Sequence, residues 1–178
     1  SGVARGSHGL IGKQNMYEHS MRVPLILQGP GIPAGRRSQA LCYLIDVLPT
    51  LGALCGVKGP ATSEGRPLTD VLADPTRPAR TELMFGYRTF QKAYSDGRWK
   101  LIRYPHVDRT QLFDLQADPY ETKDLAADPA QASRIKELLG RLQVLMRANG
   151  DEDPLTAKVI LPAEWSPPKR GAEDAKTK

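Results

Sequence analysis

Three stretches of the chain carry a legible pattern of apolar positions. The first is Val23-Pro-Leu-Ile-Leu27, stopped by Gly29-Pro-Gly-Ile-Pro33. A short apolar run bounded by turn residues predicts a buried strand followed by a turn. The second is Leu41, Leu44, Ile45, Leu48, Leu51 and Leu54, at spacings of 3, 1, 3, 3 and 3. These fall on one helical face. Asp46 reads as the N-cap, which places Pro49 in the first turn, where its missing N–H removes no intrahelical bond. Gly56 reads as the C′ residue. The helix is predicted over 47–55, with 40–45 extended before it. The third stretch is Ile135, Leu138, Leu139, Leu142, Leu145 and Met146, introduced by Asp128-Pro129 and ended by Asn149-Gly150. It predicts a helix of ~20 residues, ~30 Å long. Its apolar stripe should lie on a neighbouring sheet, the alternative being a partner.

Between the two helices the period changes. Leu83-Met-Phe85, Lys92-Ala-Tyr94, Trp99–Tyr104 and Gln111-Leu-Phe113 are short and β-prone, and Asp96-Gly97 separates two of them. That dipeptide is a strong hairpin signal, so a small antiparallel sheet is predicted over 82–115. Residues 56–80, rich in Pro, Gly and charge, read as a connector. Residues 1–22, with Gly2, Gly6, Gly9 and Gly12, read as a loop. After 151 the composition of Pro, Lys, Asp and Glu leaves two readings, a surface wrap or a disordered tail. No internal repeat is present.

Composition narrows the classes. The chain has 178 residues, 40% hydrophobic and 25% charged, ordinary values for a globular protein of one domain or slightly more. No run approaches the ~18 apolar residues of a membrane-spanning helix. Net charge is +5. A basic balance suits nucleic acid or an anionic ligand, but the only basic pairs are Arg36-Arg37 and Lys169-Arg170, with no interleaved aromatics. Nucleic acid is therefore not expected as a partner. Residues 1–37 hold Arg5, Lys13, Arg22, Arg36 and Arg37 against Glu18 alone, which suits an anion or a solvated face. Cys42 and Cys55 form no zinc framework. Two readings stand for them: small buried hydrophobes, or a disulfide.

The candidate chemistry lies in Gly6-Ser-His-Gly-Leu-Ile-Gly-Lys-Gln-Asn-Met-Tyr-Glu18. Lys13 offers a point charge with three donors, and His8 can donate to or carry a proton from a leaving group. Together they suit an oxyanion such as sulfate or phosphate.

The order of motifs is more specific than the composition. Gly6-Ser-His8-Gly9, Gly12-Lys13, Tyr17-Glu18, Arg22-Val-Pro-Leu-Ile26 and Gly29-Pro-Gly31 follow one another in the N-terminal part. Leu44-Ile-Asp-Val-Leu-Pro-Thr-Leu51, Asp96-Gly-Arg-Trp-Lys-Leu-Ile102, Leu112-Phe-Asp-Leu115, Asp118-Pro-Tyr-Glu121 and Asp124-Leu125 continue the series. In this order and spacing, residues 1 to about 148 resemble the C-terminal portion of a sulfatase of the arylsulfatase type, within the alkaline-phosphatase-like superfamily.

The resemblance implies an α/β fold: the edge of an alkaline-phosphatase-like α/β sandwich, then a small antiparallel sheet packed on one long C-terminal helix. It implies residues 1–80 as part of the catalytic domain, 81–150 as a sheet-and-helix subdomain and 151–178 as a tail. Lys13 falls on the lysine that contacts sulfate oxygens, and His8 on the histidine close to the substrate. Ser1 falls on a metal-turn position usually filled by Asn or His. The family uses calcium and a formylglycine made within Cys/Ser-x-Pro-x-Arg. The Cys form of that motif and an Asp-Asp pair are both missing here, and the Ser form is met by its letters only at Ser166-Pro-Pro-Lys-Arg170, after the last of the matched motifs; no metal ligand is assigned in this chain. The expectation is a C-terminal portion whose nucleophile and acidic ligands belong to an upstream half, inactive by itself, acting on an anionic or carbohydrate sulfate ester in the periplasm or outside the cell. The alternatives are a non-catalytic module that binds an anion or a partner, and part of a phosphoester or phosphonate hydrolase of the same superfamily.

Overall fold

The computed structural model describes residues 2–164; Ser1, with its metal-turn assignment, and the end of the tail at 165–178 lie outside the described residues. The elements run β1 (Ala4–Arg5), β2 (Ile11–Gly12), α1 (Glu18–Met21), α2 (Val47–Leu54), α3 (Thr69–Ala73), β3 (Leu83–Tyr87), β4 (Gln91–Ser95), β5 (Trp99–Tyr104), β6 (Arg109–Asp114) and α4 (Ala132–Ala148). Among the described residues no helix is long and apolar enough to cross a membrane.

β3 to β6 form one antiparallel sheet in the order β3-β4-β5-β6. The hairpin at Asp96-Gly97 forms as its sequence demands. Gly97 adopts φ +91, and the Asp96 carboxylate accepts the backbone N–H groups of Arg98 at 2.9 Å and Trp99 at 2.6 Å. Side chains alternate across a strand, and here both sets include buried apolar residues. Tyr94, Leu101 and Leu112 pack against Leu138, Leu142 and Met146 of α4. The alternate positions Ala93, Ile102 and Phe113 pack against Met16 and Tyr17. The sheet is thus a middle layer, with the long helix on one face and the N-terminal segment on the other. This sandwich is what positions the candidate site.

α4 begins as expected. Asp128 accepts the Ala130 N–H at 2.9 Å over a short 3-10 turn, and Gly150 ends the helix at φ +69. Residues 151–164 wrap back along the sheet. Asp151 and Asp153 meet Lys92 at 2.5 and 2.8 Å, and the Leu155 carbonyl accepts from Arg103 Nε at 2.6 Å.

The region before the sheet departs from the expectations in five ways. No strand forms at 23–27, and Val23, Leu25 and Ile26 are exposed. An extended segment becomes a strand only with a neighbour to pair its backbone, and among the described residues no strand pairs with it. The helix over 47–54 does form, but its apolar face is open, with Leu44 79% and Leu48 55% exposed. Asp46 does not cap α2. Its carboxylate is fully buried and accepts the N–H groups of Tyr43 and Arg66, both at 2.8 Å, and the Arg80 guanidinium at 2.5 and 3.0 Å. The connector contains a helix, α3. Cys55 is exposed and Cys42 only half-buried, and both are free thiols, so the buried and disulfide readings fail.

The region is fastened to the sheet by a tyrosine. β3 is an edge strand, and the Tyr43 hydroxyl donates to the Met84 carbonyl at 3.0 Å and accepts the Met84 N–H at 2.6 Å. One side chain thereby satisfies a backbone pair that an edge leaves open.

Candidate active-site segment

Residues 1–22, expected as a loop, fold into a small hairpin and one turn of helix. β1 and β2 pair antiparallel, Ala4 with Gly12 and Arg5 with Ile11. The hairpin tip is held by the Gly6 N–H to the Leu10 carbonyl at 2.9 Å and the Gly9 N–H to the Gly6 carbonyl at 3.0 Å. Gly6 at φ +103 and Gly9 at φ +69 supply the left-handed turns that lift His8 between them. His8 itself takes φ +54. A left-handed conformation in a residue with a Cβ costs on the order of 1–2 kcal/mol. The base of the segment is closed by the Gly2 N–H to the Ser20 carbonyl at 3.0 Å. A Cβ at Gly2 would stand 1.9 Å from the His19 carbonyl oxygen, so only glycine fits there.

The hairpin presents both expected residues. His8 at the tip and Lys13 just after β2 are exposed, and among the described residues neither side chain makes a hydrogen bond or an ion pair. Lys13 lines an open pocket of about 450 Å³ between the hairpin and β3, together with Met16, Tyr43, Phe85 and Tyr87. An exposed cation beside an aromatic wall can hold an anionic group whose organic part meets the rings.

Beneath the hairpin the segment is bolted to the sheet. The His8 ring lies parallel on Tyr17, with centroids 3.9 Å apart and planes 5° from parallel. Tyr17 is buried; its hydroxyl donates to Gln111 Oε1 at 2.9 Å, and Tyr104 donates to the same oxygen at 3.0 Å. Burial pushes the Tyr104 phenol far up, with Tyr17 adding to it, so it stays protonated and serves as a donor. The next residue, Glu18, meets Lys100 at 2.8 Å, and Lys100 meets Glu121 at 2.9 Å. Glu121 also accepts the Glu18 N–H at 2.6 Å. Lys100 is 0% exposed. Burial pushes the Glu121 carboxyl up, against the opposing pull of Lys100. A buried ammonium shared by two carboxylates fixes geometry, since losing the lysine leaves the buried Glu121 carboxylate without its cation.

His19 completes the ring cluster, 5.6 Å from His8 and 5.8 Å from Tyr17. Burial, then the charges of His8 and Lys100, pull its pKa down. Neutral imidazole is therefore the favoured form beside His8.

Tyr17, Lys100, Gln111 and Glu121 tie the candidate segment to the sheet, and pattern reading passes over them. Lys100 carried a usable signal. A lysine inside the strand Trp99–Tyr104, flanked by Trp99 and Leu101, needs a buried acidic partner. Gln111 carried none, because its partner is set by the sheet register.

The described residues do not fit a metal or a formylglycine. Among the described residues no group of three or more His, Cys, Asp or Glu side chains could hold a metal ion. Burial, then Asp46, pushes the Cys42 thiol up, away from thiolate. No chemical step is assigned to either group in this chain.

Comparison with known proteins completes the picture. The family model for the N-sulphoglucosamine sulphohydrolase C-terminal region matches residues 6–148. The chain belongs to this family of sulfatase C-terminal regions. It is 31% identical over 173 residues to the N-acetylglucosamine-6-O-sulfatase of Bacteroides thetaiotaomicron, covering 90% of this chain and 31% of that protein. It is 38% identical over 133 residues to the choline-sulfatase of Rhizobium meliloti, covering 70% of this chain and 25% of that one. A solved structure of a protein with its substrate D-glucosamine-2-N,6-O-disulfate superposes with TM-score 0.75 at 29% identity, over 84% of this chain and 33% of that chain. The sulfatase C-terminal region thus spans about a third or less of these relatives' length. The motif-based resemblance and the α/β fold with its small sheet and C-terminal helix are both borne out.

Proposed function

We propose that this chain works as the C-terminal portion of a sulfatase that hydrolyses sulfate monoesters of carbohydrates, and that Lys13 and His8 are its contribution to the reacting group. On this reading residues 1–80 complete a catalytic α/β domain, 81–150 form its closing subdomain, and the nucleophile and acidic metal ligands belong to an upstream half. The observation that carries the reading is the hairpin. Two chemically able side chains stand exposed, His8 at its tip and Lys13 just after it, and among the described residues neither is hydrogen-bonded or ion-paired, while the segment beneath is tied to the sheet through Tyr17 and Glu18. Surface residues with no task do not need a buried ion cluster under them. The substrate bound in the similar solved structure, a doubly sulfated glucosamine, supports a sulfated sugar as the ligand.

Lys13 places its ammonium against the sulfate oxygens and offsets the charge that builds on them as the ester bond breaks. His8 donates a proton towards the departing alkoxide oxygen or carries it away. Calcium and formylglycine held by the upstream half would supply the nucleophile and its activation, while this chain's residues bind and orient the sulfate and move the proton.

The test is steady-state hydrolysis of glucosamine 6-sulfate and the matched phosphate ester by the gene product that carries this chain. Lys13→Ala should lower kcat/KM for the sulfate ester by ~10²-fold or more, as loss of a charge-stabilising donor does. An unchanged kcat/KM overturns the role of Lys13, and preference for the phosphate ester by the unaltered protein overturns the sulfatase reading in favour of a phosphoester hydrolase.

A further inference from the structure

We propose that Tyr17 is a positioning residue for His8: its ring carries the imidazole by parallel stacking, and strand β6 holds the phenol through Gln111. The proposal rests on the reading that His8 acts on the departing oxygen of the ester.

The His8 ring has one other aromatic neighbour, His19, farther away at 5.6 Å and 28° from parallel. The His8 side chain forms no hydrogen bond among the described residues, and its backbone sits in a left-handed turn between glycines that do not restrict it. What sets the plane of the imidazole is the Tyr17 face, 3.9 Å away and within 5° of parallel. That face is itself held on three sides. Gln111 Oε1 accepts from the Tyr17 hydroxyl at 2.9 Å, and the Tyr104 hydroxyl, at 3.0 Å, keeps the same oxygen turned inward. Phe113 meets the Tyr17 ring edge-on at 6.0 Å. The Tyr17 N–H is bound by Asn15 Oδ1 at 3.2 Å, and the following residue is pinned by Lys100 and Glu121. Gln111 and Phe113 lie two apart on β6 and therefore face the same side of the sheet. The apolar contact and the hydrogen bond are thus parts of one surface.

A proton donor must point a ring nitrogen at the oxygen it serves, and a misplacement of about 1 Å can cost on the order of 10²-fold in rate. An imidazole on a flexible turn samples many planes, whereas one laid on a fixed aromatic face samples few. The arrangement therefore acts on the orientation of His8 and leaves binding of the sulfate to Lys13. It follows that loss of Tyr17 lowers kcat more than it raises KM.

The experiment is a double-mutant cycle in the gene product that carries this chain, combined with NMR of ring-labelled histidine. In the unaltered protein the His8 ring protons should appear upfield, displaced by the Tyr17 ring current. Tyr17→Leu should abolish that displacement and lower kcat by ~10-fold or more. In a His8→Gln background the same substitution should lower kcat no further, because the two residues then act as one unit. Tyr17→Phe should keep the displacement and lose only a few-fold, and it serves as the second variant where Tyr17→Leu does not fold. Three results overturn the proposal: no upfield displacement in the unaltered protein, an unchanged kcat in Tyr17→Phe, or an equal loss with and without His8. An unaltered protein inactive on sulfate esters overturns the functional reading instead, and does so before any variant is measured.

Discussion

Residues 83–148 close an apolar core of their own, and residues 22–80 do not. The sheet and α4 enclose Leu101, Leu112, Leu138, Leu142 and Met146, apolar groups that close a core within the chain. Between 22 and 80 the buried residues are Asp46, Thr50 and Leu68, while Leu44, Ile45, Leu48, Leu51 and Leu54 stand exposed. The helix α2 turns its polar side inward. Thr50 Oγ1 donates to the Asp46 carbonyl at 2.6 Å and accepts the Leu68 N–H at 2.9 Å, next to the Asp46–Arg80 pair. The lesson is that helix formation and helix burial are separate events. Local spacing makes the apolar stripe, but only a facing surface buries it. The first region has that surface in the same chain. The second is held together by hydrogen bonds around one carboxylate.

The largest effect should come from that carboxylate. Asp46→Asn leaves the Arg80 guanidinium without its charge partner in a site where Arg80 is only 11% exposed, and should destabilise by about 3–5 kcal/mol. Chemical denaturation of the two proteins measures it. Acid reads the same pair. Burial pushes the Asp46 carboxyl up, but the Arg80 hydrogen bonds and the N–H groups of Arg66 and Tyr43 outweigh it and hold the value below the ordinary range. A depressed acid stabilises the fold above its unfolded pKa of about 4, and that contribution is lost as pH falls through the folded value. Melting temperature should therefore fall below about pH 4 more steeply in the unaltered chain than in Asp46→Asn, which lacks this titration. Parallel acid curves would show that the pair does not support the region.

Next is the apolar core. Leu142→Ala empties a fully enclosed position against the sheet and should cost about 2–5 kcal/mol. The smallest effect belongs to the open face. Leu48→Ser in this chain should change stability by less than about 0.5 kcal/mol, because no packing is lost. If Leu48→Ser proved as damaging as Leu142→Ala, the contrast between the regions would be gone and the α2 face would have to be covered in solution. Comparable Leu142→Ala and Asp46→Asn losses with a silent Leu48→Ser would sharpen it.

Much of the fold was legible in the residues. The hairpin at Asp96-Gly97, the start of the C-terminal helix at Asp128-Pro129 and its end at Asn149-Gly150 all form where their local chemistry places them. The strand expected at 23–27 did not form, since a strand is a pairing and its partner is not written in its own sequence. Asp46 departs from its local pattern for a related reason. A lone carboxylate ahead of a helix looks like a cap, and nothing nearby announces that Arg80 will reach it across 34 positions. In the candidate site, His8 and Lys13 were visible from their glycine-rich surroundings, whereas Tyr17, Gln111, Lys100 and Glu121 were not.

Sequence by itself determined the elements whose cause is local: period, capping residue, turn glycine and the order of motifs that marks the sulfatase C-terminal family. Tertiary structure alone decided which residues brace the hairpin. Tyr17 meets Gln111 across 94 positions and Glu18 meets Glu121 across 103. Such contacts depend on strand register and on which face of the sheet a residue occupies, and both are set only when the layers pack.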